Sequence, residues 1–155
     1  MKKIIQSDQV SQIKKELEDK TIVLVGGCFD VLHPGHRSFL KAAEGQGDSL
    51  VVLLESDEAV SKRKGPKRPV NTQLTRAQNL LSSTPTGLVI LLPFPFEDND
   101  YDQLVTSIKP AIIATTKGDP SIHHKIRQAK KIGAQVVEVI DRLPNHSTTQ
   151  LINTL

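Results

Sequence analysis

The sequence predicts an α/β domain: a doubly wound parallel sheet of about five strands with helices on both faces. Two observations carry this. Short, nearly continuous apolar runs rich in β-branched residues recur along the chain, and stretches with apolar residues three and four apart separate them. Strands covered on both faces lose the in–out alternation of a half-exposed sheet. Strands that alternate with helices need crossover connections, which make the sheet parallel. The length of 155 residues suits one domain, 1–155, with a sizeable core.

The elements follow in order. An opening helix from about Asp8 to Glu18 puts Val10, Ile13 and Leu17 on one stripe. Strands are predicted at Thr21–Val25, Leu50–Leu54, Leu88–Leu92, Ala111–Ala114 and Gln135–Ile140. Between them, helical spacing joins Phe39, Leu40 and Ala43; Leu74, Ala77 and Leu81; Leu104, Val105 and Ile108; and Ile122, Ile126 and Ala129. There is no internal repeat, low-complexity tract or linker.

Composition excludes several classes. No apolar run approaches the roughly 20 residues of a membrane span. The N-terminal Met1–Gln6 stretch lacks the apolar run and cleavage site of a secretory signal. Cys28 is the only cysteine, so no internal disulfide forms and a reducing, cytoplasmic setting is expected. Net charge is +3, with no Trp, one Tyr and four Phe. A single-strand nucleic-acid binder needs stacking platforms in a basic groove, and this chain has few. A small phosphorylated ligand suits the mild basicity better.

Ligands of such sheets bind beyond the carboxyl ends of the strands, at a topological switch point. After the first predicted strand comes Gly26–His36, GGCFDVLHPGH. The glycines let the backbone approach a ligand. Pro34 suits the first turn of a helix, which places His33 and His36 beside its free N–H groups, a natural phosphate site. The bland alternative is a helix start with two surface histidines. A metal centre is not expected, because no further ligand stands at suitable spacing. Cys28 has no base placed for nucleophilic use and fits as a small residue filling the turn.

After the second predicted strand, Lys62, Arg63, Lys64, Lys67 and Arg68 flank Gly65-Pro66, with Arg76 on the next helix. This is either a solvated loop or a polyphosphate site. After the fourth, Lys117-Gly118-Asp119 either touches a nucleotide or caps a helix. After the fifth, Ser147, Thr148 and Thr149 suit a helix start that also takes an anionic oxygen. His123 and His124 are expected on an exposed helix face. The acidic Asp98–Asp102 stretch has no metal-cage spacing.

GCFDVLHPGH resembles the H-x-G-H signature of the cytidylyltransferase-like nucleotidyltransferases. KGPKRPVNTQLTR is similar to the basic segment and helix of heptose-1-phosphate adenylyltransferases. HSTTQLI is similar to the closing S-T-T motif of that group and of glycerol-3-phosphate cytidylyltransferase. The resemblance covers nearly the whole chain. It implies a Rossmann-like fold and transfer of a nucleotidyl group from ATP or CTP, with Mg²⁺, to a phosphorylated small molecule, releasing pyrophosphate. GPKRPVN favours ATP.

By that resemblance His33 and His36 serve the α- and β-phosphates, and Lys64 and Arg76 the acceptor phosphate or leaving pyrophosphate. Gly27, Cys28, Phe29, Asp30 and Gly35 would line the nucleotide, Asp119 its ribose or base, and Ser147, Thr148 and Thr149 its β- or γ-phosphate. This chain departs from the adenylyltransferases at Val25-Gly26-Gly27, at Glu55 and around Thr115–Asp119. These positions line the substrate pockets, so the acceptor's identity stays open. Alternatives are a cytidylyltransferase acting on a polyol or alkyl phosphate, flavin or pantetheine adenylylation, and a nucleotide sensor without turnover. Neither nucleic acid nor a membrane is an expected partner. Dimers are common in these families, and a homodimer is left open.

Overall fold

A computed structural model describes residues 2–139. Six strands form one fully parallel sheet: β1 (Lys3–Gln6), β2 (Ile22–Gly27), β3 (Ser49–Leu54), β4 (Leu88–Leu91), β5 (Ile112–Thr116) and β6 (Gln135–Val139). Their spatial order is β1-β4-β3-β2-β5-β6. The helices are α1 (Lys14–Glu18), α2 (Pro34–Glu44), α3 (Asp57–Lys64), α4 (Gln73–Ser83), α5 (Asp98–Ile108) and α6 (Ile122–Ile132).

Alternate residues of the buried strands feed two cores. Val23, Val25, Leu50, Val52 and Leu54 face Phe39, Leu40, Ala77 and Leu80 of α2 and α4. Ile22, Leu24, Val51 and Leu53 face Val10, Leu104, Val105 and Ile108 on the other side. Continuous apolar runs thus serve two faces, as expected for a sandwiched parallel sheet.

Three elements differ from the sequence reading. A sixth strand, β1, precedes the five expected and pairs with β4 from Lys3–Leu88 to Gln6–Leu91. Only Ile4 and Ile5 are apolar in it, and its partner lies far along the chain, so local pattern is silent. The opening helix is a 3₁₀ segment, Ser7–Ile13, followed by the short α1. The basic segment after β3 begins as helix α3, capped by Ser56 Oγ accepting from the Ala59 N–H at 3.1 Å. Only Val60 of α3 is buried, which leaves no amphipathic stripe to detect.

The seam between β2 and β5 positions the site. The chain winds outward from β2 through β3 and β4, then returns to β5 on the opposite side. The β2–β3 ladder runs on to Gly27–Leu54, and the β5–β6 ladder to Thr116–Val139. The β2–β5 ladder holds only Val23–Ile112 and Leu24–Ile113. The two strands therefore part toward their carboxyl ends and open a cleft at the switch point.

Candidate active site

The turn after β2 is built around one strained residue. Phe29 adopts a left-handed backbone with φ of 44°, a conformation that side chains larger than glycine seldom hold. Its ring lies so close to Gly27 that a Cβ there would sit 3.0 Å from Phe29 Cε2. The same ring meets His36 edge-on, with centroids 5.4 Å apart. Gly27 and Phe29 thus support the histidine from beneath.

His33 is the N-cap of α2. Its Nδ1 accepts from the Gly35 N–H at 3.0 Å and the His36 N–H at 3.3 Å. An accepting Nδ1 places the neutral ring's proton on Nε2. Gly35 serves here through its N–H. His36 stacks on His33 with centroids 3.8 Å apart, and its Nδ1 lies 3.2 Å from the Val31 carbonyl. A carbonyl only accepts, so this Nδ1 donates and the neutral ring leaves Nε2 as a lone pair. Burial, then the electrostatic influence of His33 and of the Lys64 cation, pushes the His36 pKa down to about 4 despite the Val31 contact. Of the two rings, His36 borders the cavity, and its Nε2 is a site awaiting a proton.

Lys64 ends α3, and its Nζ reaches Cys28 Sγ at 3.2 Å. Together His36, Lys64, Cys28, Phe29, Thr116 and Asp119 surround a cavity of about 390 Å³ over the β2–β5 seam. Asp119 is anchored by Thr115 Oγ1 at 2.6 Å, the Ser121 N–H at 2.8 Å and an ion pair with Lys125. Burial alone would raise its pKa, but Lys125, Thr115 and Ser121 outweigh that and hold it below the usual range.

Two expected ligand-binding side chains are committed elsewhere. Arg76 is wholly buried. It donates to the Cys28 carbonyl at 2.8 Å, the Asn71 carbonyl at 3.1 Å and Asp57 Oδ1 at 2.7 Å. Its expected contact with a substrate phosphate is therefore corrected: the guanidinium holds the turn from within, because each of its nitrogens already has an acceptor. Asp30 is likewise committed within the protein. Its carboxylate receives Arg68 Nε at 2.9 Å and the Val70 and Asn71 N–H groups at 2.7 and 2.9 Å. Burial raises the Asp30 pKa, and these donors more than reverse it. Asp30 and Arg76 together tie the basic segment to the β2 turn.

The sequence reading passed over Lys125 and Tyr101, which line the cleft, and placed Glu55 only as a departure. Lys125 lies one turn into α6, just past the Asp119 loop, so its distance from a strand end was the available signal. Glu55 pairs with Arg63. Ser147, Thr148 and Thr149 lie outside the described residues. Among the described residues, no helix is long and apolar enough to cross a membrane.

The fold recurs in solved proteins. A lipopolysaccharide core biosynthesis protein from Thermoplasma volcanium GSS1 superposes with a TM-score of 0.63 at 25% identity, over 79% of this chain and 98% of that one. Pantoate-β-alanine ligase from Francisella tularensis gives 0.68 at 16% identity, over 100% and 74%, and shares the fold alone. In sequence, the bifunctional protein HldE of Rhodopseudomonas palustris BisB18 is 39% identical over 137 residues, 87% of this chain. HldE of Campylobacter fetus 82-40 is 35% identical over 154 residues, 99% of this chain. The chain spans 27% and 31% of the length of these two relatives. The cytidylyltransferase-like family profile matches residues 24–154. The chain belongs to the cytidylyltransferase-like family of nucleotidyltransferases.

Proposed function

We propose that the chain is an adenylyltransferase that moves AMP from ATP to a phosphorylated sugar of the heptose 1-phosphate type. The observation that carries transfer chemistry is the stacked His33–His36 pair at the start of α2, with His36 and Lys64 lining one cavity over the open β2–β5 seam. The likeness to HldE proteins supports the sugar-phosphate class.

In the proposed reaction an acceptor phosphate oxygen attacks the α-phosphorus. The new O–P bond forms as the bond to the bridging oxygen breaks, and pyrophosphate leaves with that electron pair. Positioning and charge stabilisation carry such a step. His33 is assigned to the phosphates through the ring it stacks on His36 and the α2 start that it caps. His36 donates from Nε2 once the incoming phosphates supply the negative charge that favours its protonation. Lys64 neutralises the phosphates as a mobile point charge. Arg76 and Asp30 position the turn and the basic segment without touching substrate. Asp119 is assigned to the ribose or base, and Ser147–Thr149 to the β- or γ-phosphate.

Among the described residues no group of three or more metal-ligating side chains occurs. The lining carboxylates Glu55 and Asp119 are each ion-paired. The donor set therefore fits Mg²⁺ only as an ion carried in on the triphosphate, where it supplies charge neutralisation.

Pyrophosphate release tests the reading, with ATP or CTP paired against heptose 1-phosphate or glycerol 3-phosphate. ATP with heptose 1-phosphate is the expected productive pair, and preference for CTP with glycerol 3-phosphate would reassign the enzyme. His36→Ala is expected to lower kcat by roughly 10²-fold or more, as loss of a preorganised donor does.

A further inference from the structure

One carboxylate joins α5 to α6. Asp102 of α5 receives two cations of α6 on the same oxygen: Arg127 Nη1 donates to Oδ2 at 2.7 Å and Lys131 Nζ at 3.1 Å. The other oxygen, Oδ1, is buried with no hydrogen-bond partner among the described residues. The bond from Arg127, then that from Lys131, outweigh burial and hold the Asp102 pKa below the usual carboxylate range, so the group is ionised at neutral pH. A buried acceptor left empty is costly. A guanidinium, moreover, often meets a carboxylate with two parallel bonds. The Asp102–Arg127 pair is one bond short of that form.

Its place in the fold gives this shortfall a use. α5 packs on the 3₁₀ segment Ser7–Ile13, which itself packs on β1, whereas α6 packs on β5 and β6. Asp102 therefore ties the β1-β4-β3-β2 side of the sheet to the β5-β6 side, over the seam where β2 and β5 share two paired positions. Tyr101 and Gln128, next in sequence to Asp102 and Arg127, line the cleft. Asp102, Arg127 and Lys131 stand outside its lining.

We propose that Asp102 and Arg127 form a strap that tightens when the cleft fills: as the two sides of the sheet close on a ligand, the Arg127 fork reaches the empty oxygen and makes its second bond. Asp102 is thus a positioning residue, acting on the ligand through the helices that wall the cleft. The proposal rests on the nucleotide reading of that cleft and adds a closing motion to it.

Two physical arguments support it. The open and closed forms differ by one discrete bond, as a two-position element requires. The contact also lies outside the cleft, so any affinity it supplies comes through closure. By linkage, a strap that is stronger in the bound state raises ligand affinity by the factor of its own strengthening. A contact equal in both states leaves affinity unchanged.

Isothermal titration of a non-hydrolysable ATP analogue with Mg²⁺ tests the strap in wild type, Asp102→Asn and Arg127→Lys. Arg127→Lys keeps the charge and a donor but loses the fork. The Arg127 side chain is 41% exposed, so that replacement leaves folding intact.

Each variant is expected to bind the analogue about threefold or more weakly. For Asp102→Asn the sign is decisive, because removing a negative charge would by itself strengthen binding of an anion. In wild type, amide exchange of α5 and α6 should slow when the analogue binds, and it should slow less in either variant. Unchanged affinity in Arg127→Lys overturns the strap, since a plain ion pair survives that replacement. So does tighter binding by Asp102→Asn, or a wild type whose α5 and α6 do not slow on binding. Unliganded variants in which α4 exchanges faster to the same degree as α6 overturn it too, because they mark a general loss of fold. The two readings fail separately. An analogue that binds wild type and both variants equally rejects the strap and keeps the nucleotide cleft. An analogue that does not bind wild type rejects the nucleotide cleft and the strap with it.

Discussion

His36 shows how a few contacts decide a protonation state. Its Nδ1 is committed to the Val31 carbonyl, and its pKa is lowered from 6.5 to about 4. Between those values the unfolded chain binds a proton that the native ring refuses. Stability must therefore fall as pH drops from about 6.5 to about 4, by up to ~1.4 kcal/mol per pH unit from this group. Urea titrations across that range are expected to show the slope in wild type and a shallower one in His36→Gln. In the proposed reaction, bound nucleotide reverses the preference. Calorimetry of Mg-ATP binding near neutral pH, in buffers of different ionisation enthalpy, should show more proton uptake by wild type than by His36→Gln. Equal uptake would reject the role given to Nε2. Sequence could locate this histidine from the spacing around Pro34, yet its tautomer depends on the Val31 carbonyl, which the turn alone brings into place.

At the level of elements, the basic segment is the instructive case. Five cations in a short run read as either a solvated loop or a polyphosphate site, and only part of that run lines the cleft. Arg63 and Lys64 end α3 and enter it, whereas Arg68 turns to Asp30. The Asp30 carboxylate, 2% exposed, joins the segment to the β2 turn through the Val70 and Asn71 N–H groups. Asp30→Ala is expected to cost roughly 2–4 kcal/mol by chemical denaturation, because buried donors lose their acceptor. Because the native Asp30 pKa is depressed, the stability it contributes is present at neutral pH and fades only as acid protonates the carboxylate. A stability difference from Asp30→Ala that persists unchanged into strong acid would contradict this. Sequence reasoning gave Asp30 and Arg76 ligand contacts, whereas in the structure both side chains are bonded within the protein. Nothing in residue type distinguishes a carboxylate facing ligand from one facing its own backbone.

For the molecule as a whole, the sandwiched sheet was legible because burial on both faces writes itself into unbroken apolar runs. The edge strand β1 was not, since an edge needs little apolar content and its pairing with β4 is long-range. Close packing at the other end of the strands gives a global test. A Cβ on Gly47 would stand 2.6 Å from the Thr21 carbonyl oxygen and 2.9 Å from Val23 Cγ2. Gly47→Ala should lower stability by about 1–3 kcal/mol in thermal melts, since backbone there cannot yield as a flexible side chain would. A melting temperature equal to wild type would show that the β2–β3 entry adjusts freely.

The short β2–β5 ladder has a mechanical consequence. With two paired positions joining them, the four strands on one side and the two on the other behave as plates riveted at one end. Opening that seam costs fewer backbone hydrogen bonds than stripping β3 from the centre, so β5, α6 and β6 should exchange their amide hydrogens as one early-opening unit. On the proposed reading, a substrate spanning both plates would close the open end of the seam and slow that exchange, so that it would also fasten the fold that binds it.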